Sequence, residues 1–224
     1  MLRAVLFDLD GTLADTERQC AESIARALHR RGRLMSDEER RFVIGRGWRE
    51  IYAKLEEGGP VPYAAAELIA EAGDLREAIV DEQGLDVLPG ARELLVAALA
   101  QHQVAVVSGS SRGEIADTLR RLDVTVPVVI GAEDVSRGKP APDGYRLALE
   151  RLGIDAAHAV AIEDSTAGIA AALAAGVVVV AARAGNFAGQ DQSHANLVVD
   201  SLAQIDLARL SQLLATTHAG RQVP

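Results

Sequence analysis

The stretch Ala4-Val5-Leu6-Phe7-Asp8-Leu9-Asp10-Gly11-Thr12-Leu13-Ala14-Asp15 decides how the chain folds. Its first four residues are apolar without alternation, as in a strand buried on both faces of a parallel sheet. The run then stops in acids. In an extended backbone Asp8 and Asp10 project to the same side, placing two carboxylates close together at the strand's carboxyl end. Such a pair is costly unless a cation or a shared proton compensates it. That end of an open α/β sheet is also where ligands bind. The plain alternative, an Asp10-Gly11 turn with Asp8 as a helix cap, gives no reason for an acid inside an apolar run.

Working outward, similar β-branched runs recur at 104–107, 126–130, 159–162, 177–180 and 197–199. Helical patterns lie between them at 91–100, 113–122, 141–152 and 165–175, the last stopping at Gly176. This alternation predicts right-handed βαβ units and a doubly wound, Rossmann-like parallel sheet. One block breaks the pattern. Residues 15–83 hold no strand signal, only amphipathic segments at 20–29, 37–44, 48–55 and 63–80. The reading is therefore an α/β core of residues 1–14 and 84–224, with an all-helical insert at 15–83. The tail from Thr216 is expected to fray.

Composition bounds the function. Of 224 residues, 49% are hydrophobic and 25% charged, which is globular rather than disordered. A net charge of -9 without a dense Lys/Arg run speaks against nucleic acid as a partner. Cys20 is the only cysteine, so neither an internal disulfide nor a multi-cysteine zinc site is expected. The longest nearly apolar stretch, 167–182, is too short for a membrane span and is broken by Gly168 and Gly176. The opening apolar run is too short for a signal peptide, so the expected compartment is the cytoplasm. The chain carries 23 basic residues, of which only Lys54 and Lys139 are lysines.

Two further strand ends and one loop carry polar chemistry. Ala161-Ile162-Glu163-Asp164-Ser165 again ends a strand in acids; beside Asp8 and Asp10 it makes an oxygen-rich site suited to Mg²⁺. Taken alone, Asp164-Ser165 also fits a simple helix cap. Val106-Val107-Ser108-Gly109-Ser110-Ser111 offers a hydroxyl and backbone N–H groups at a helix N-terminus, which suits phosphate oxygens or an ordinary serine cap. Gly138-Lys139-Pro140-Ala141-Pro142-Asp143 holds one of the two lysines on a proline-stiffened backbone, where an ammonium can neutralise phosphate charge.

Asp8-x-Asp10-Gly11-Thr12-x-x-Asp15, Ser108, Gly138-Lys139-Pro140 and Glu163-Asp164 together resemble the four ordered motifs of the haloacid dehalogenase superfamily. The helical insert resembles that superfamily's small cap, as in phosphoglycolate-phosphatase-like and β-phosphoglucomutase-like members. Gly109 departs from the usual Asn or Ser, and Glu163-Asp164 from Asp-Asp; neither removes a group the chemistry requires. The resemblance implies a phosphatase of small phosphorylated metabolites; a monomer is the expected state. It makes Asp8 the nucleophile and Asp10 the acid and base. Asp8, Asp164 and the Asp10 carbonyl would be Mg²⁺ ligands, with Glu163 assisting through water. Ser108, the Gly109 backbone and Lys139 would receive the phosphoryl group. The loop Gly45-Arg46-Gly47-Trp48-Arg49 resembles the cap loop that meets substrate, Gly45 and Gly47 supplying mobility. Solvated arginines and a tryptophan in the cap core are equally compatible with that loop. A phosphosugar mutase is the alternative activity. It is disfavoured because Cys20 stands near the position of a mutase's cap histidine, and Lys54 lies outside the segment matching the cap lysine.

Overall fold

The computed structural model describes residues 1–44 and 46–221. It divides into two compact units: Met1–Ala14 with the chain from Val87 onward, and Asp15–Asp86. Gly45 lies outside the described residues.

The first unit opens with β1 (Ala4–Phe7). The second unit holds α1 (Thr16–Arg30), α2 (Asp37–Val43), α3 (Trp48–Glu57) and α4 (Ala65–Gln83). The chain then returns to the first unit through α5 (Ala91–Gln101), β2 (Gln103–Val107), α6 (Arg112–Arg121) and β3 (Val128–Ile130). It continues with α7 (Asp143–Leu152), β4 (Ala159–Glu163), α8 (Thr166–Ala174), β5 (Val178–Ala182), β6 (Leu197–Val199) and α9 (Leu207–Arg221).

All six strands are parallel, in the order β3-β2-β1-β4-β5-β6. This is the doubly wound Rossmann order, in which connections run to opposite sides from the central strand. Every residue of β1, β4 and β5 is buried, which explains why their sequences do not alternate. Ala4 and Leu6 join Tyr145, Ala148 and Leu149 of α7 and Ile169 and Ala172 of α8 in one apolar cluster. Val5 and Phe7 point to the opposite face and are fully buried as well.

The helical unit has its own core, including Ile24, Leu28, Leu55 and Leu68. Asp15 starts α1 by accepting the Arg18 N–H at 3.0 Å, and Ser36 and Glu39 form a reciprocal cap at α2. Two chain crossings close the base of this unit: Asp15 N–H donates to Asp86 C=O at 2.8 Å, and Gln19 Nε2 to Gly84 C=O at 3.1 Å. Lys54 pairs with Glu38 at 2.9 Å and Glu57 at 3.3 Å.

Element ends differ from the sequence reading for local reasons. Strand β3 starts at Val128 rather than at 126 because Pro127 has no N–H for the ladder. Helix α1 starts four residues before Cys20, at Thr16, because Asp15 caps it. Helix α9 includes Thr216, whose hydroxyl donates to Gln212 C=O at 3.1 Å, where fraying is expected from sequence. Among the described residues no helix is long and apolar enough to cross a membrane.

Candidate active site

Strand register assembles the site. Phe7 lies level with Val106 of β2 on one side and Ile162 of β4 on the other. The chain therefore leaves the sheet at Asp8 between Ser108 and the Glu163-Asp164 pair. Asp8, Ser108, Glu163 and Asp164 are all buried, Glu163 with no exposure at all. The turn after Asp10 requires glycine: Gly11 has φ +82°, and a Cβ there would collide with the Asp164 carboxylate.

Lys139 joins the two acidic strand ends. Its Nζ donates to Asp8 Oδ1 and, at 2.6 Å, to Glu163 Oε1. Burial pushes the Asp8 carboxyl up to about 8; Lys139 opposes that rise, while Glu163 and Asp10 add to it. Burial works against the Lys139 charge too, yet Asp8 and Glu163 together hold its ammonium well above the ordinary lysine value. Tyr145 is fully buried and donates its hydroxyl to Glu163 Oε1 at 2.6 Å; burial and then Glu163 raise its own pKa. Glu163 Oε2 accepts from Ser165 Oγ at 3.1 Å and from the Asp164 N–H at 3.2 Å. Both oxygens of Glu163 are thus engaged by the protein.

Asp8, Glu163 and Asp164 offer carboxylate oxygens within 4.8 Å of one another. Three carboxyl groups face one ammonium, and the donors are all oxygen. That is a fit to a hard divalent cation. Asp10 points its carboxylate elsewhere: its Oδ2 accepts from Ser108 Oγ at 2.8 Å and Ser110 Oγ at 2.7 Å. Gly109, between those serines, is exposed with open space at its α-carbon.

With this geometry in place, comparison with known proteins is decisive. A family model of haloacid dehalogenase-like hydrolases matches residues 2–176. The chain belongs to that family. It is 36% identical over 187 residues to validoxylamine A 7'-phosphate phosphatase of Streptomyces hygroscopicus subsp. limoneus, covering 80% of this chain and 85% of that protein. CbbY from Rhodobacter sphaeroides, solved in complex with phosphate, is similar at TM-score 0.81 and 28% identity, over 94% of this chain and 100% of that one. A CbbY mutant from the same organism, solved with xylulose-(1,5)bisphosphate, is similar at TM-score 0.80 and 28% identity, over 93% and 98% of the two chains.

As a member of this hydrolase family the chain brings Asp8, Asp10, Ser108, Lys139, Glu163 and Asp164 into one polar cluster within its sheet unit. Arg46 is exposed, 3.6 Å from Glu50 and 5.1 Å from the Phe42 ring centroid. Arg49 is exposed, and Trp48 is half-buried against the helical core. Cys20 packs on that core as well.

Sequence reading missed three participants. Ser110 carries the second hydroxyl on Asp10. Tyr145 holds Glu163; a tyrosine at a buried helical position, where phenylalanine would pack equally well, was the available signal. Gln192 is buried in the loop after β5, and its Nε2 donates to Asp164 C=O at 2.6 Å and Ala182 C=O at 2.9 Å. No pattern in the sequence marks it.

Proposed function

We propose that this hydrolase is a Mg²⁺-dependent phosphatase that cleaves small organic phosphate monoesters, of the sugar phosphate or phosphoglycolate type, through an aspartyl-phosphate on Asp8. One observation carries the reading. Asp8 follows the central strand with one oxygen on Lys139, in a buried cluster of three carboxyl groups around that single ammonium. Phosphatase relatives, and a structural neighbour solved with a sugar bisphosphate, support the substrate class.

Asp8 attacks phosphorus as the ester oxygen departs, and Asp10 protonates that oxygen. Asp10 then takes a proton from the water that hydrolyses the acyl phosphate. Lys139 and Ser108 receive the phosphoryl oxygens, with the backbone at Gly109 as a further donor. Asp8, Asp164 and the Asp10 carbonyl would hold Mg²⁺, which when bound supplies positive charge that offsets the acids and the phosphate dianion. Glu163, bonded by Lys139, Tyr145 and Ser165, holds the ammonium in place and would assist the cation through water. The helical unit is assigned the family's cap role, with Arg46 and Arg49 as its candidate anion contacts. Cys20 cannot relay protons as an imidazole does at neutral pH, which favours hydrolysis over phosphosugar mutation. All the groups given a role in the reaction lie in one chain, so a monomer suffices; the cytoplasm stays the expected compartment.

A panel of phosphorylated metabolites, assayed for phosphate release with Mg²⁺ and with EDTA, tests the reading. Turnover of at least one sugar phosphate, abolished by EDTA and restored by Mg²⁺, is expected. Full activity in chelator, or bisphosphate-dependent isomerisation of β-glucose 1-phosphate with little free phosphate, would overturn it.

A further inference from the structure

We infer that Ser110 is the positioning residue for Asp10, holding its carboxyl so that the other oxygen delivers the proton to the departing alcohol; this rests on the phosphatase reading above. Ser108 and Ser110 follow β2 and stand two residues apart, with both hydroxyls on the same oxygen, Asp10 Oδ2, at 2.8 and 2.7 Å. Their backbone is pinned on both sides. The Ser108 N–H donates to Ile130 C=O at 3.0 Å, and Ser110 C=O accepts the Ala132 N–H at 3.0 Å. Ser110 N–H also donates to Ser108 Oγ at 2.9 Å, fixing where that hydroxyl sits. Ser111 and Glu114 then cap α6 reciprocally, so the loop enters a fixed helix start.

The two hydroxyls are not equivalent during the reaction. Each has one hydrogen to give. When Ser108 turns its hydrogen to a phosphoryl oxygen, as proposed, its bond to Asp10 is given up. Of the two hydroxyls, Ser110's stays on Oδ2 when Asp10 must act. With Oδ2 held as acceptor, Oδ1 carries the proton. The Asp8 oxygen bonds to phosphorus and the bond from phosphorus to the ester oxygen breaks. The electron pair of that bond leaves with the alcohol oxygen, and this oxygen takes the proton from Oδ1. A carboxyl that loses this hydrogen bond is aimed less tightly at the leaving oxygen, so the loss scales with the need for that proton.

Benzyl phosphate and p-nitrophenyl phosphate separate this role from phosphate binding. They are of similar size, but benzyl alcohol is a strongly basic leaving group and p-nitrophenolate a weak one that departs unprotonated. The value of kcat/KM reports the steps up to alcohol departure. In Ser110→Ala, with Mg²⁺, kcat/KM for benzyl phosphate should fall about tenfold more than for p-nitrophenyl phosphate, and Ser110→Thr should restore most of that ratio. Equal losses on both esters, or no loss on either, would overturn the role while leaving the phosphatase reading intact. Wild-type protein that hydrolyses no phosphate ester would instead overturn the phosphatase reading and this role with it.

Discussion

Lys139 and Glu163 meet at 2.6 Å, a loop ammonium on a strand-end carboxylate that has no exposure to solvent. The contact fixes where the loop's positive charge sits, because Glu163 is itself held by Tyr145 and Ser165. Removing the ammonium strands a buried charge. Lys139→Met should lower stability by about 3–5 kcal/mol in urea denaturation, and adding Glu163→Gln should recover part of that loss. A loss below about 1 kcal/mol would show that the pair is not buried as described.

The Asp8 carboxyl, raised to about 8 chiefly by burial, links stability to pH. Between the ordinary carboxylate value and about 8 the folded protein holds a proton that the unfolded chain has released. Its contribution to metal-free stability therefore falls as pH rises through that window and levels off above it. A cation favours the ionised form, so the stabilisation by Mg²⁺ should grow as pH approaches 8. Urea midpoints at about pH 6 and about pH 8, with and without Mg²⁺, read both slopes. Asp8→Asn should flatten them, and identical pH dependence in the two proteins would contradict the linkage.

Two helical glycines should respond to alanine with opposite signs. Gly73, inside α4, has nothing within 4 Å of a Cβ position, so Gly73→Ala should stabilise by about 0.5–1 kcal/mol. In α8 a Cβ at Gly168 would collide with the carboxylate of Glu163. Gly168→Ala should therefore destabilise by about 1–3 kcal/mol or more, against its helix propensity, and impair turnover by displacing Lys139. Thermal melts and phosphate-release assays check both.

Gln192→Ala should cost about 1–3 kcal/mol, because two enclosed carbonyls, of Asp164 and Ala182, lose their shared donor. The Mg²⁺ concentration for half-maximal activity should rise, since Asp164 loses its backbone tether. Unchanged stability and unchanged Mg²⁺ response would show that the loop after β5 does not support Asp164.

Most of this site was legible because a parallel sheet converts sequence pattern into position. Apolar runs ending in Asp8, Ser108 and Glu163-Asp164 must align their ends if the strands are neighbours, and the register Phe7–Val106 and Phe7–Ile162 aligns them. Strand order itself was not readable, since it depends on packing across long connections. Ser110 and Gln192 were invisible for a related reason: a polar loop residue gains meaning only from the partner the fold brings to it, which for Ser110 is 100 residues away. The helical unit was legible as helices, from its 3.6-residue periodicity, but not in the duties of its side chains. Trp48 packs on the helical core and Lys54 is tied to Glu38 and Glu57, which periodicity alone does not distinguish from ligand contacts.

The account turns on Asp8 as the nucleophile, and one comparison addresses it directly: Mg²⁺-dependent phosphate release by wild-type protein and by Asp8→Asn, on the best sugar phosphate, with circular dichroism as the control for folding. The amide keeps the shape at the end of β1 but not the attacking oxygen anion. Turnover should fall by roughly three orders of magnitude or more while the spectrum is unchanged. A folded Asp8→Asn protein that turns over near the wild-type rate would contradict the account.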